Sequence, residues 1–169
     1  MMMKSKGLFI CDIYNTYFCL SDNHNEERKK FVDNLVKIII KDKLDILYFS
    51  FVTNDTIDYL ENTIEDLKNH LPNKVKFMKQ YYYNGYIYED NNYSYDYKYR
   101  YEVIDSLKSE YKVNNIYYAD DSLFNHQLVK DKKIIHFINS SNNDYFNSNE
   151  KGLKGINEAI EKYLKTSSK

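Results

Sequence analysis

Apolar residues along this chain recur with two different periods. Short, mostly apolar runs cover residues 7–12, 44–52, 75–78, 115–119 and 133–138, rich in Ile, Val, Leu, Phe and Tyr. Runs of that length and composition predict strands buried on both sides. Between them apolar positions return every three or four residues, the spacing of one helix face. Phe31, Leu35, Ile38 and Ile39 mark a helix over 26–41. Ile57, Leu60, Ile64, Leu67 and Leu71 mark the next, which Asn54, Asp55 or Thr56 can cap and Pro72 closes. Val103, Ile104 and Leu107 predict a helix over 101–111, and a short one follows near 123–130. Leu153, Ile156, Ile160 and Leu164 predict the last, over about 150–164, after a polar loop at 139–149. Strands alternating with helices imply a three-layer, Rossmann-like α/β fold: a parallel sheet with helices on both faces.

One stretch departs from the pattern. Residues 80–101 hold ten of the chain's 19 tyrosines, with turn candidates at Asn84-Gly85 and Glu89–Asn92. A hairpin or irregular excursion covering one edge of the sheet is expected there. Aromatic side chains interleaved with Lys98 and Arg100 also suit stacking on exposed bases. Glu89, Asp90 and Asp96 lie in the same stretch, however, so it is not a basic patch.

Neither a repeat nor a linker divides the 169 residues, which read as one domain. With 24 basic against 25 acidic residues, no global field favours nucleic acid or an anionic membrane. Cys11 and Cys19 have no metal spacing and read as reduced thiols of an intracellular protein. The N-terminus lacks a signal-peptide core and no apolar run approaches a membrane span, so a soluble cytoplasmic protein is expected. His24, His70, His126 and His136 show no ligand spacing and read as surface or packing residues.

The candidate chemistry lies where two apolar runs end. Leu8-Phe9-Ile10-Cys11 ends in Asp12, and Ile116-Tyr117-Tyr118-Ala119 ends in Asp120 and Asp121. Open α/β sheets bind ligands outside the carboxyl ends of their strands. Two such strands could bring three carboxylates to one crevice. They would repel one another unless a hard cation sat among them, and such an oxygen-rich site suits Mg²⁺. That arrangement points to phosphoryl chemistry.

Four positions, in order, resemble the motifs of the haloacid dehalogenase-like (HAD) hydrolase superfamily. Asp12-Ile13-Tyr14-Asn15-Thr16 is similar to its D-x-D-x-T motif after the first strand. Thr53, followed by Asn54, fits its strand-end Ser or Thr, and Ser50 fits almost as well. Lys98 fits its lysine near a helix start, with Arg100 a close competitor. Asp120-Asp121-Ser122-Leu123-Phe124-Asn125 looks like its acidic fourth motif, with Ala119 and Asn125 replacing a Gly and the last Asp.

The resemblance spans residues 7–139 and implies a HAD-like fold. It also implies that Asp12 attacks phosphorus to form an aspartyl-phosphate. Mg²⁺ would be held by Asp12, the Tyr14 carbonyl and Asp120 or Asp121. Thr53 or Ser50, with Lys98 or Arg100, would bind the phosphoryl oxygens beside Asn54, and Thr16 would steady the loop. Only one helix fits between Thr16 and Leu44, and residues 75–101 offer at most a small hairpin. The cap is therefore minimal and the site open, suited to phosphate on a nucleic-acid end, a protein or a nucleotide.

Tyr14 departs from the family's phosphatases, in which a second Asp supplies acid/base catalysis. A phenol is a poor general base at neutral pH. Tyr here looks like the dehalogenase branch, which needs no metal, whereas Asp120-Asp121 looks like the metal-dependent branches. Three readings follow: a Mg²⁺-dependent phosphatase or phosphotransferase working best on good leaving groups, a non-turning-over phosphate- or metal-binding module, and a carbon–halogen hydrolase.

Overall fold

The structure is a computed structural model, and it describes residues 5–13, 16–17, 24–53, 57–77, 80–82, 86–89, 92–95, 100–120, 126, 134–138 and 152–166. β1 (Lys6–Cys11) lies in the middle of the sheet, paired in parallel with β2 (Ile46–Thr53) on one side and β7 (Asn115–Asp120) on the other. β3 (Val75–Phe77) continues the parallel pairing beyond β2, and β8 (Ile134–Ile138) continues it beyond β7. Numbered along the chain, these five parallel strands lie in the order 3-2-1-4-5, which reverses between β1 and β7. In an open α/β sheet that reversal is the topological switch point, where the crevice for a ligand opens.

The strands are nearly continuous apolar runs because both of their faces are covered. Phe9, Cys11, Phe49, Phe51, Tyr117 and Ala119 face one core, packed by α1 (His24–Lys41), α2 (Ile57–Lys68) and α4 (Leu153–Leu164). Leu8, Ile10, Val52, Ile116 and Tyr118 face the other, packed by Val103, Ile104 and Leu107 of α3 (Arg100–Tyr111). The three layers anticipated from the sequence are therefore present. α1 sits inside the first core, so it is a layer helix and no cap. The short helix expected near 123–130 lies outside the described residues apart from His126, and the loop at 139–149 lies wholly outside them. No helix among the described residues is long and apolar enough to cross a membrane.

The tyrosine-rich stretch is more regular than a loose excursion. β4 (Gln80–Tyr82), β5 (Tyr86–Glu89) and β6 (Asn92–Tyr95) form an antiparallel meander. It joins the sheet where β4 pairs in parallel with the end of β2, Val52 with Tyr81 and Thr53 with Tyr82. Along the meander the backbone pairs Tyr82 with Tyr86, Tyr86 with Tyr95 and Tyr88 with Tyr93, and Asn92 and Ser94 are exposed.

α1 and α4 meet through buried amides as well as apolar side chains. The Asn34 side chain donates to Asn157 Oδ1 at 3.1 Å. Asn157 Nδ2 in turn donates to the Glu27 carbonyl at 2.9 Å and to its carboxylate at 3.1 Å. Asn157→Ala removes both halves of that exchange in a dry interface, at a cost of about 1–3 kcal/mol. For a chain of this size the melting temperature should fall by roughly 2–12 °C. A melting temperature unchanged in differential scanning calorimetry would show that water replaces the lost partners.

Candidate functional site

Asp12 is the first residue past β1, and its backbone N–H donates to the Ala119 carbonyl at 2.9 Å. This bond extends the β1–β7 ladder, in which Ile10 pairs with Tyr118 and Cys11 with Ala119. One step further along the same register sets Asp12 beside Asp120, with backbones about 5 Å apart as neighbouring strands are. Two acids separated by more than a hundred residues thus meet at the switch point. Asp12 is 8% exposed and Asp120 is fully buried. The Cys11 thiol registers both: burial first, then the charges of Asp12 and Asp120, push it well above its ordinary range. It stays protonated and donates to the Asp12 carbonyl at 3.1 Å.

The loop after Asp12 folds back at once. The Thr16 and Tyr17 N–H groups both donate to the Ile13 carbonyl, at 3.2 and 2.8 Å, and Thr16 is fully buried. Tyr17 packs edge-on against Phe51 and Phe31 and donates its hydroxyl to Asp66 of α2 at 2.8 Å. His24 and Arg28, in the first turns of α1, reach the same carboxylate at 2.7 and 2.6 Å. This cluster fastens the segment following Asp12 to two helices. Burial alone would raise the Asp66 carboxyl, but hydrogen bonds from His24 and Tyr17 and the charges of His24 and Arg28 outweigh it and hold it below its ordinary range.

A depressed carboxyl contributes stability that is complete above its unfolded pKa and is lost as pH falls through its folded one. The wild type should therefore lose stability on acidification below the usual carboxylate pKa, and Asp66→Asn should lose less over that window while being less stable near neutrality. Urea midpoints measured across the acid range check this. Parallel curves for the two proteins would remove Asp66 from the account.

The two alternatives for the strand-end hydroxyl residue occupy different levels. Ser50 pairs with Ile10 inside the sheet and is fully buried. Thr53 is the last residue of β2, two positions beyond Phe51, the partner of Cys11. Its backbone lies one residue beyond Val52, which the continued register sets level with Asp12, and pairs with Tyr82 of the tyrosine meander. Arg100 heads α3. Tyr14, Asn54, Lys98 and Asp121 lie outside the described residues.

Around Asp120 the structure assembles residues that the motif reading did not connect with it. The Tyr118 hydroxyl donates to Asp120 Oδ2 at 2.6 Å. His126 Nε2 lies 2.9 Å from the Asp120 carbonyl and its Nδ1 lies 2.8 Å from His136 Nδ1. A carbonyl only accepts, so Nε2 carries a proton; with both rings neutral, His136 donates to His126. Burial lowers the His136 pKa, which favours the neutral ring. The reading of these two histidines as packing residues holds for His126, which is 5% exposed, but its packing is against the main chain of a candidate site residue. Tyr118, two residues before Asp120 and so on the same strand face, was the one visible signal.

Adjacent buried carboxylates form an oxygen-only donor set, which suits a hard cation such as Mg²⁺, commonly held by one or two carboxylates with water and phosphate completing its shell. Among the described residues no three His, Cys, Asp or Glu side chains come together as a metal-holding group. The other ligands expected from the sequence, the Tyr14 carbonyl and Asp121, lie outside the described residues.

No protein-family model matches the chain, and no curated protein matches it. Among solved structures it is similar to a nicotinamidase from Staphylococcus aureus, at 12% identity over 97% of both chains and a TM-score of 0.36. A likeness so distant carries no argument about activity. The class that the chain's own topology defines is an α/β protein with a Rossmann-like parallel sheet and helices on both faces.

Proposed function

We propose that this protein is a HAD-like, Mg²⁺-dependent phosphoryl hydrolase or phosphotransferase acting through Asp12. The observation that carries the reading is the meeting of Asp12 and Asp120 at the switch point, joined through the Asp12 N–H and the Ala119 carbonyl. An Asp12 oxygen attacks phosphorus, the bond to the leaving oxygen breaks, and an aspartyl-phosphate forms; water then releases phosphate and restores the carboxylate. Asp12, Asp120 or Asp121 and the Tyr14 carbonyl would hold Mg²⁺, which would supply charge neutralisation and alignment of the phosphate. Thr53 is favoured over Ser50 as the phosphoryl-binding hydroxyl, because its backbone reaches the rim. Lys98 or Arg100 opposes the charge that develops on the phosphoryl oxygens.

With Tyr14 where the family's phosphatases carry a second Asp, the leaving oxygen lacks a strong general acid. Aryl phosphates and acyl phosphates are thus better substrates than alkyl esters. Among the described residues only the small meander stands beside Thr53 in the place of a cap, which supports phosphate carried on a nucleotide or a larger molecule as substrate. Tyr14 also supports a second reading, in which the chain binds phosphate and metal without turnover and serves as an interaction module.

The test is hydrolysis of a phosphate-ester panel of aryl, acyl, nucleotide and 5′- or 3′-phosphorylated oligonucleotide substrates, with Mg²⁺ and with EDTA. Mg²⁺-dependent turnover strongest on good leaving groups is expected. A folded protein inert on every ester would turn the assignment to the binding module.

A further inference from the structure

Resting on the assignment of Asp120 as a metal ligand, we infer that Tyr118 and His126, backed by His136, are positioning residues that set the cation affinity of the site. Asp120 is gripped at two points. Tyr118 fixes one carboxylate oxygen at 2.6 Å, and His126 fixes the carbonyl of the same residue at 2.9 Å. A side chain held at its head and at its main chain has little freedom left to rotate. A carboxylate offers about four lone-pair sites, so a metal-ligating carboxylate can accept a bond such as that from Tyr118 and still coordinate a cation.

The grip is itself braced. His136 pairs with Tyr118 across β7 and β8 and bonds His126 through the two Nδ1 atoms at 2.8 Å. Tyr118 stands edge-on to the His126 ring at 4.9 Å and tilted against His136 at 6.1 Å. Three side chains from two strands and the segment between them thus form one wall behind a single carboxylate. A buried phenol that only needed an acceptor would require neither histidine.

Outer hydrogen bonds of this kind raise metal affinity by fixing a ligand's orientation, and losing one typically weakens binding by ~10–100-fold. The experiment measures Mn²⁺ binding by electron paramagnetic resonance, with Mn²⁺ standing in for Mg²⁺ and no substrate present. The proteins are wild type, Asp12→Asn, Tyr118→Phe, His126→Ala and His126→Gln, each also melted to show that it is folded. Tyr118→Phe keeps the ring in the core and loses only the hydroxyl. Its Kd for Mn²⁺ should rise by about 10-fold or more, and that of His126→Ala likewise. His126→Gln should recover part of the loss, because its amide can donate to the Asp120 carbonyl.

Folded Tyr118→Phe and His126→Ala proteins that bind Mn²⁺ as wild type does, while Asp12→Asn does not, would overturn this inference and leave the metal assignment standing. Wild-type protein that binds no Mn²⁺ would overturn both.

Discussion

Asp12→Asn should reduce kcat on the best phosphate ester by at least ~10³-fold while leaving the protein folded. The amide oxygen is a far weaker nucleophile than a carboxylate, and loss of the attacking group cannot be offset by more substrate. The substitution is nearly isosteric, and the bond that places residue 12 uses its backbone N–H and the Ala119 carbonyl. It also removes one of two facing negative charges, so without divalent cation the melting temperature should be unchanged or higher. Asp120→Asn has a different signature. If its role is to hold the cation, added Mg²⁺ should restore much of the lost rate, whereas no concentration of Mg²⁺ should rescue Asp12→Asn. Steady-state kinetics over a Mg²⁺ titration separates the two. Turnover surviving in Asp12→Asn would assign the nucleophile elsewhere.

The sequence carried the layers but not their order. The 3.6-residue periods and mostly apolar runs place every described strand of the parallel sheet and all four described helices within a few residues, since burial on one or two faces writes itself into hydrophobicity. Strand order arises from long-range pairing. That Asp12 and Asp120 end neighbouring strands follows only from the register of β1 against β7. The end of α1 falls at Lys41, where the apolar period placed it, although the usual chemical marker is absent. α1 closes with the Leu44 N–H on the Ile39 carbonyl and the Lys43 N–H on the Ile40 carbonyl, with Lys43 at φ 54°. Glycine usually marks that left-handed position. With only 4 glycines in the chain, a lysine takes it and the usual signal is missing.

The meander was half legible, because a hairpin at the sheet edge was one of the two expectations for residues 80–101. Its strands are only three or four residues long, and tyrosine at nearly every second position suits a strand, a hairpin or a stacking surface equally. Pairing with the end of β2 selects among them, and that pairing is non-local. The wall behind Asp120 was hidden differently again. His126 and His136 act on a backbone carbonyl and on each other, so no ligand spacing betrays them, while Tyr118 could be found by counting two residues back along its strand.

The largest loss of stability should come from Phe9→Ala, at about 3–5 kcal/mol. Phe9 is fully buried on the central strand. Its ring stacks on Phe49 at 5.4 Å and on Phe137 at 5.8 Å, and meets Phe31 edge-on at 5.5 Å. Tyr117 lies 6.2 Å away. It therefore joins β1, β2, β7 and β8 to α1, and the cavity left by its removal opens among rigid rings that cannot easily collapse into it. The affected strand delivers Asp12 three residues later, so stability and site are linked through one backbone. Chemical denaturation should report the loss as a lower midpoint with little change in slope, since the same surface unfolds. Phe9→Leu fills much of the space and should cost far less. Equal losses for Leu and Ala would mean that ring stacking, and not volume, holds this centre together, and the cavity account would then be wrong.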